Sequence, residues 1–236
     1  EMAPSGASTR RLWIMSDVII SVRGEHEARL VPERGTVHFS VRADGPERGP
    51  VVERIASLAL PLREQLDERK DASAVTEWTS RRVSVWSDRP WNAEGTQLPL
   101  VHHASIAFTA TFSDFAVLSW WVGDVAEAEG VQLENVTWAL TPERGRVTES
   151  EVAAEAVRTA VTRATSYATA IGLSAVTPLE IADVGLLART EAESGFTQSK
   201  MIRAASMDAM GGCVGVQLQP DDIVVTAAVE ARFLAR

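Results

Sequence analysis

A chain of 236 residues can bury a proper core, as one large domain or two small ones. Hydrophobic residues at 45% and charged residues at 23% are ordinary for a soluble globular protein, and a net charge of -9 argues against a phosphate-backbone partner, which needs clustered Lys and Arg. No apolar run approaches the ~20 residues of a membrane-spanning helix, and the single cysteine, Cys213, excludes an internal disulfide and implies no oxidising compartment.

The opening residues EMAPSGASTRR are small and polar with no periodicity, so residues 1–14 are expected to be a flexible leader or expression remnant, with the fold starting at residue 15. Leu12 to Met15 is only four apolar residues before Asp17, short of the ~7–15-residue core of an export signal. A cytoplasmic location is therefore expected. Val18 to Ala28, then Val37, Phe39 and Val41, alternate as half-buried strands do. Val52, Ile55, Ala59, Leu62 and Leu66 trace a helical stripe that Pro61 is expected to kink.

Ser73 to Trp86 and Leu100 to Phe112 alternate again, joined by a polar loop at 87–99. Ser113 reads as the N-cap of a helix carrying Phe115, Leu118, Val122 and Val125, closed by Gly130. Val131 to Leu140 reads as a strand. From Val147 to Gly172, Val152, Ala156, Ala160, Ala164 and Ala168 recur every four residues, with Ala153, Val157 and Val161 widening the stripe. That is one face of a long helix, narrow enough for its backbone to lie close to a sheet or another helix. Thr148 is its expected N-cap, with Glu151 completing a capping box, and Gly172 its stop.

Pro178 to Leu187 reads as a strand, and 189–220 as a long Gly/Ser/Met-rich excursion or flexible arm. From Ile223 to Phe233 every odd-numbered residue is apolar, which predicts a closing strand. The tetrapeptide Pro-Glu-Arg-Gly occurs three times, at 32–35, 46–49 and 142–145. Each occurrence reads as a turn, with Pro at the second position and Gly at the exit. Strand pairs interrupted by single helices, with no βαβ rhythm, predict an α+β fold: a mainly antiparallel sheet packed by a few helices, one of them long and Ala-rich.

The strand ending Val22-Arg-Gly24, the run Val31-Pro-Glu-Arg-Gly-Thr-Val-His-Phe-Ser-Val41, the helix end Tyr167-Ala-Thr-Ala-Ile-Gly172 and the closing Gln219-Pro-Asp-Asp-Ile-Val-Val-Thr-Ala-Ala-Val-Glu-Ala-Arg-Phe233 follow one another in a familiar order. Over about residues 18–234 the chain resembles the SIMPL-domain family, which includes bacterial periplasmic immunogenic proteins. The resemblance implies a single α+β domain over 15–236 and a tendency to form homo-oligomers. It brings loose associations with envelope and oxidative-stress phenotypes. It carries no accepted catalytic residues, so none is transferred.

The chemistry-bearing residues are sparse. His102 and His103 are neighbours on a strand and point to opposite faces, so they cannot easily share a metal. His26 and His38 would approach each other only if their strands paired. Cys213, in Met210-Gly-Gly-Cys-Val-Gly215, has no signature of a nucleophile around it. With no ligand spacing and no nucleotide loop, neither a metal nor an organic cofactor is expected. Among the seven tryptophans, Trp86 and Trp91 flank the Pro-containing loop and Trp78 lies on the strand leading into it. These three are the candidate interface or ligand contacts, because exposed aromatic rings stack on sugars, bases or another subunit. Trp120, Trp121 and Trp138 read as core. The expected function is non-enzymatic, through self-assembly and binding of a protein partner. Its rivals are a small-molecule or carbohydrate binder using the Trp86/Trp91 loop, and a hydrolase built on His102 or His103 with scattered carboxylates.

Overall fold

The computed structural model describes residues 17–187 and 218–236. The leader expected at 1–14, Cys213 and all but the end of the excursion expected at 189–220 lie outside them. Among the described residues the order is β1 (Val18–Leu30), β2 (Arg34–Gly45), α1 (Arg48–Asp71), β3 (Val75–Ser80), β4 (Ser84–Asp88), β5 (Val101–Phe112), α2 (Phe115–Ala126), β6 (Val131–Ala139), α3 (Pro142–Ala170), β7 (Val176–Asp183) and β8 (Ile223–Ala235). The class is α+β, as expected. The strands form two sheets, one ordered β1-β8-β7 and one ordered β3-β5-β2-β6 with β4 also on β5. Pairings β2–β5, β2–β6, β3–β5, β4–β5 and β7–β8 are antiparallel. The chain gathers into two compact units, residues 29–146 with 218–224, and residues 17–28 with 147–187 and 225–236.

In the first of these units, alternation along β2 and β5 sends Val37, Phe39 and Val41 and, from the partner strand, Ile106, Phe108 and Phe112 into one core. Helices α1 and α2 close that core with Ile55, Leu62 and Leu66, and with Leu118, Trp121 and Val125. Helix α1 runs through Pro61 and buries Val51 rather than Val52. Asp114 caps α2, its carboxylate accepting from the N–H groups of Ala116 and Val117 at 2.9 and 3.1 Å. The expected cap, Ser113, instead donates to the carbonyl of Ser73.

The single strand expected from Ser73 to Trp86 is two strands on one edge. Ser80 faces Phe108 and Ser84 faces Ser105, so the edge takes four steps where β5 takes three. The extra residue breaks the ladder at 81–83, although Arg81 still donates to the Ala107 carbonyl at 2.8 Å. Bulges of this kind twist an exposed edge away from further pairing.

Helix α3 begins at Pro142, six residues before its expected cap. The side chain of Thr141 accepts from the Arg144 N–H at 3.3 Å, and Pro142 takes the first helical position, where a missing N–H costs nothing. Thr148 is therefore inside the helix and buried. The third Pro-Glu-Arg-Gly is thus a helix's first turn, not a connection, and none of the three tetrapeptides has a glycine with positive φ. The second copy also runs into a helix, Arg48 and Gly49 opening α1 behind Glu47, which makes no side-chain cap bond; only the third has a threonine before its proline to supply one.

In the second unit, Ala156, Ala160, Ala164 and Ala168 of α3 pack with Ile20 and Val22 of β1 and with Val229, Ala231 and Phe233 of β8. Ala153 and Val161 are exposed, while Val157 is partly buried against this core, so the stripe is narrow but wider than the alanines alone. That narrowness sets the spacing. A Cβ on Gly24 of β1 would stand 2.0 Å from the Ala156 carbonyl oxygen and 2.6 Å from the Ala160 nitrogen. Small residues on both sides bring strand and helix backbones into contact.

Candidate functional site

The hairpin of β4, its loop and β5 carries the residues singled out from the sequence. Register sets them out: Trp86 lies opposite His103, Ser87 opposite His102, and Asp88 opposite Val101. Successive side chains alternate between faces, so Trp86, Asp88 and His103 share one face and Ser87 and His102 the other. The Trp86 and His103 rings stack at 5.3 Å with 19° between their planes. His103 Nε2 stands 3.2 Å from Asp88 Oδ1. On the other face, Ser87 Oγ and His102 Nδ1 share a 2.6 Å hydrogen bond.

This arrangement bears on the hydrolase reading. Ser87 and His102 have the contact of a nucleophile and its base, but the nearest strand carboxylate, Asp88, is on His103 across the sheet. The triad logic needs the carboxylate on the same histidine as the serine. The strand period puts Asp88 on the face away from Ser87 and His102. Among the described residues no group of three His, Cys, Asp or Glu side chains could hold a metal ion. His26 and His38 lie in different sheets, and their strands do not pair.

The loop beyond β4 is organised by its own polar groups. Asn92 Oδ1 accepts from the N–H groups of Glu94 and Thr96 at 3.1 and 2.7 Å. The Asn92 N–H donates to the Thr96 carbonyl and Leu98 to that of Pro90. Gly95 turns the chain at φ +79°, a conformation that suits glycine. Trp91 forms an isolated bridge with Gln97 across this turn and is 67% exposed; Trp86 is 47% exposed. Leu98 and Leu100 are exposed on the same hairpin. A braced turn thus displays four large apolar side chains to solvent.

Trp78 is placed differently. Its Nε1–H donates to Asp67 Oδ1 at 2.9 Å, and its ring stacks on Phe108 at 6.4 Å. It is half-buried at the rim of the core, while Trp86 and Trp91 face outward. Trp121 and Trp138 are buried as expected, but Trp120 is 77% exposed. The helical period gives the reason: with Leu118, Trp121, Val122 and Val125 inward, residue 120 falls on the opposite side. That signal was in the sequence, since two adjacent helical residues cannot both centre on one narrow face.

Away from the hairpin, Glu33 is held by a neighbouring threonine. Thr141 donates to Glu33 Oε2 through both its hydroxyl, at 2.6 Å, and its backbone N–H, at 3.0 Å. These bonds, led by the hydroxyl and helped by Arg144 and Arg34, hold the Glu33 carboxyl below its ordinary value. The same Thr141 caps α3, so this carboxylate braces a helix start.

The family model for SIMPL, described as a protein of unknown function (DUF541), matches residues 20–233, nearly the whole chain. No curated protein matches it. No helix among the described residues is long and apolar enough to cross a membrane.

Proposed function

This chain belongs to the SIMPL family, a family of unknown function, and we propose that it works by self-assembly and protein binding, with the β4–β5 hairpin as the contact. The observation that carries this reading is the exposure of Trp86 and Trp91 on one braced turn. Large apolar rings held in water are costly, and burying each against a neighbour recovers roughly 1.5–3 kcal/mol. Tryptophan is enriched at the energetic centre of interfaces. The turn is already ordered by Asn92, so little conformational freedom is lost when a second subunit docks.

Light scattering on the purified full chain tests the proposal. The expected mass is a multiple of the 25.5 kDa protomer, and Trp86→Ala with Trp91→Ala shifts it toward the protomer. Both side chains are exposed, so the double variant keeps its fold. A clean monomer at micromolar concentration, or an assembly that the double variant leaves intact, overturns the reading.

A further inference from the structure

The Trp86 ring belongs to a row that crosses three strands. It lies opposite His103 of β5, and His103 in turn lies opposite Asp44 of β2. Side chains alternate between faces, so Trp86, Asp88, His103 and Asp44 share the face turned away from the core under α1 and α2. An imidazole thus has a carboxylate on each flanking strand. Asp88 is in contact with it, Oδ1 standing 3.2 Å from Nε2. Arg42, the next residue of β2 on that face, lies opposite Ser105. His102 points the other way, onto Ser87.

A neighbour that docks on Trp86 also takes water from Asp88, whose side chain is 60% exposed. A carboxylate that loses its water without gaining a cation opposes the contact. The group that the fold holds against Asp88 is an imidazole, a cation only when protonated. A proton on His103 makes that contact a charge-assisted bond. It also sets a cation against the Trp86 ring, 5.3 Å away and only 19° from parallel. Asp44 and Asp88 outweigh Arg42 by one charge while His103 is neutral and are balanced once it is protonated. Copies that meet on this face repel in the first state and not in the second.

We propose that His103 is a proton-operated latch on the hairpin contact, tightening self-association when protonated and loosening it when neutral. The inference rests on the reading of the hairpin as the contact between copies. The proton aids docking by the same factor as docking aids uptake of the proton. The tightening is therefore present in acid and lost as pH rises through neutrality.

Sedimentation of the full chain at about pH 8 and about pH 5.5 is the test, a window that spans imidazole titration and stays above the ordinary carboxylate range. The concentration for half-association is expected to be about tenfold lower in acid, the margin of a charge-assisted bond over a neutral one. Acid also lowers the overall negative charge through all four histidines, so His102→Gln is the control. It removes an equal titrating charge from the other face and should keep the response, which His103→Gln should lose. Asp88→Asn should associate at about pH 8 as tightly as the parent does in acid, because the carboxylate that resists docking is gone. Its side chain is exposed, so this variant reads the latch even where His103→Gln disturbs the fold. A chain that is monomeric at both pH values, or an assembly indifferent to Trp86→Ala with Trp91→Ala, overturns the hairpin reading and the latch together. An assembly that needs those tryptophans but shows no pH response, or keeps its response in His103→Gln, or loses it as fully in His102→Gln, overturns the latch alone.

Discussion

Gly24 is the residue on which the packing of β1 against α3 turns. Its missing Cβ would fall within 2.6 Å of two backbone atoms of the helix, and backbone cannot swing aside as a side chain does. Gly24→Ala should therefore cost at least about 3 kcal/mol, the upper range of overpacking. Gly49, in the first turn of α1, has open space around it and no positive φ. Gly49→Ala should be neutral or stabilising by up to about 1 kcal/mol, because alanine loses less backbone freedom in a helix. Urea midpoints of the two variants measure both, and similar shifts would mean the strand and helix are further apart than described. Glu33 gives a prediction in pH. Its folded carboxyl titrates below the ordinary value of 4.5, so its stabilising effect is present above that value and is lost as pH falls through the lower folded one. The melting-temperature gap between the parent and Glu33→Gln should be widest near neutrality and close in acid. A gap that stays constant with pH would contradict the bond to Thr141.

At the scale of elements, β8 joins sequence pattern to architecture most directly. Its odd positions Ile223, Val225, Val229, Ala231 and Phe233 are buried, and it is the middle strand of its sheet. The alternation is strict because a central strand cannot slip by one residue without exposing its whole buried set. Val229→Asp should cost about 3 kcal/mol or more, or yield insoluble protein, through an unpaired buried charge. The even face is not plain solvent. Glu230 accepts from the Gly185 N–H at 3.1 Å and lies 3.8 Å from Arg23. Glu230→Lys removes both contacts and sets two cations together, so a cost of about 1 kcal/mol is expected rather than none. Thermal melts rank the pair, and equal losses would place the strand in a different register.

For the whole molecule, charge and apolar surface act in opposite directions. A protomer with net charge -9 repels its copies, while Trp86, Trp91, Leu98 and Leu100 favour contact. Screening should decide between them: the Debye length falls from about 30 Å at 0.01 M salt to about 3 Å at 1 M. An assembly built on the hairpin should therefore tighten as sodium chloride rises, seen as a lower concentration for half-association in sedimentation. Dissociation with rising salt would mean that ion pairs hold the copies together, against the hairpin contact.

Sequence alone determined the features that are periodic. The four-residue recurrence of Ala156, Ala160, Ala164 and Ala168, the alternation of β2, β5 and β8, and the α+β class are local statements about which side of an element is apolar, and burial follows them. Sequence also separated His102 from His103 and brought Trp86 and Trp91 to one loop. Tertiary structure decided what depends on partners. The break between β3 and β4 exists only because β5 counts one residue fewer. Thr141 became the cap of α3 because Glu33, 108 residues earlier, fixes its hydroxyl and N–H. Trp78 belongs to the core rim through Asp67 and Phe108, whereas Trp86 stands outward on His103. Periodicity tells which face turns inward; the groups that meet there are set by long-range register, which no local pattern encodes.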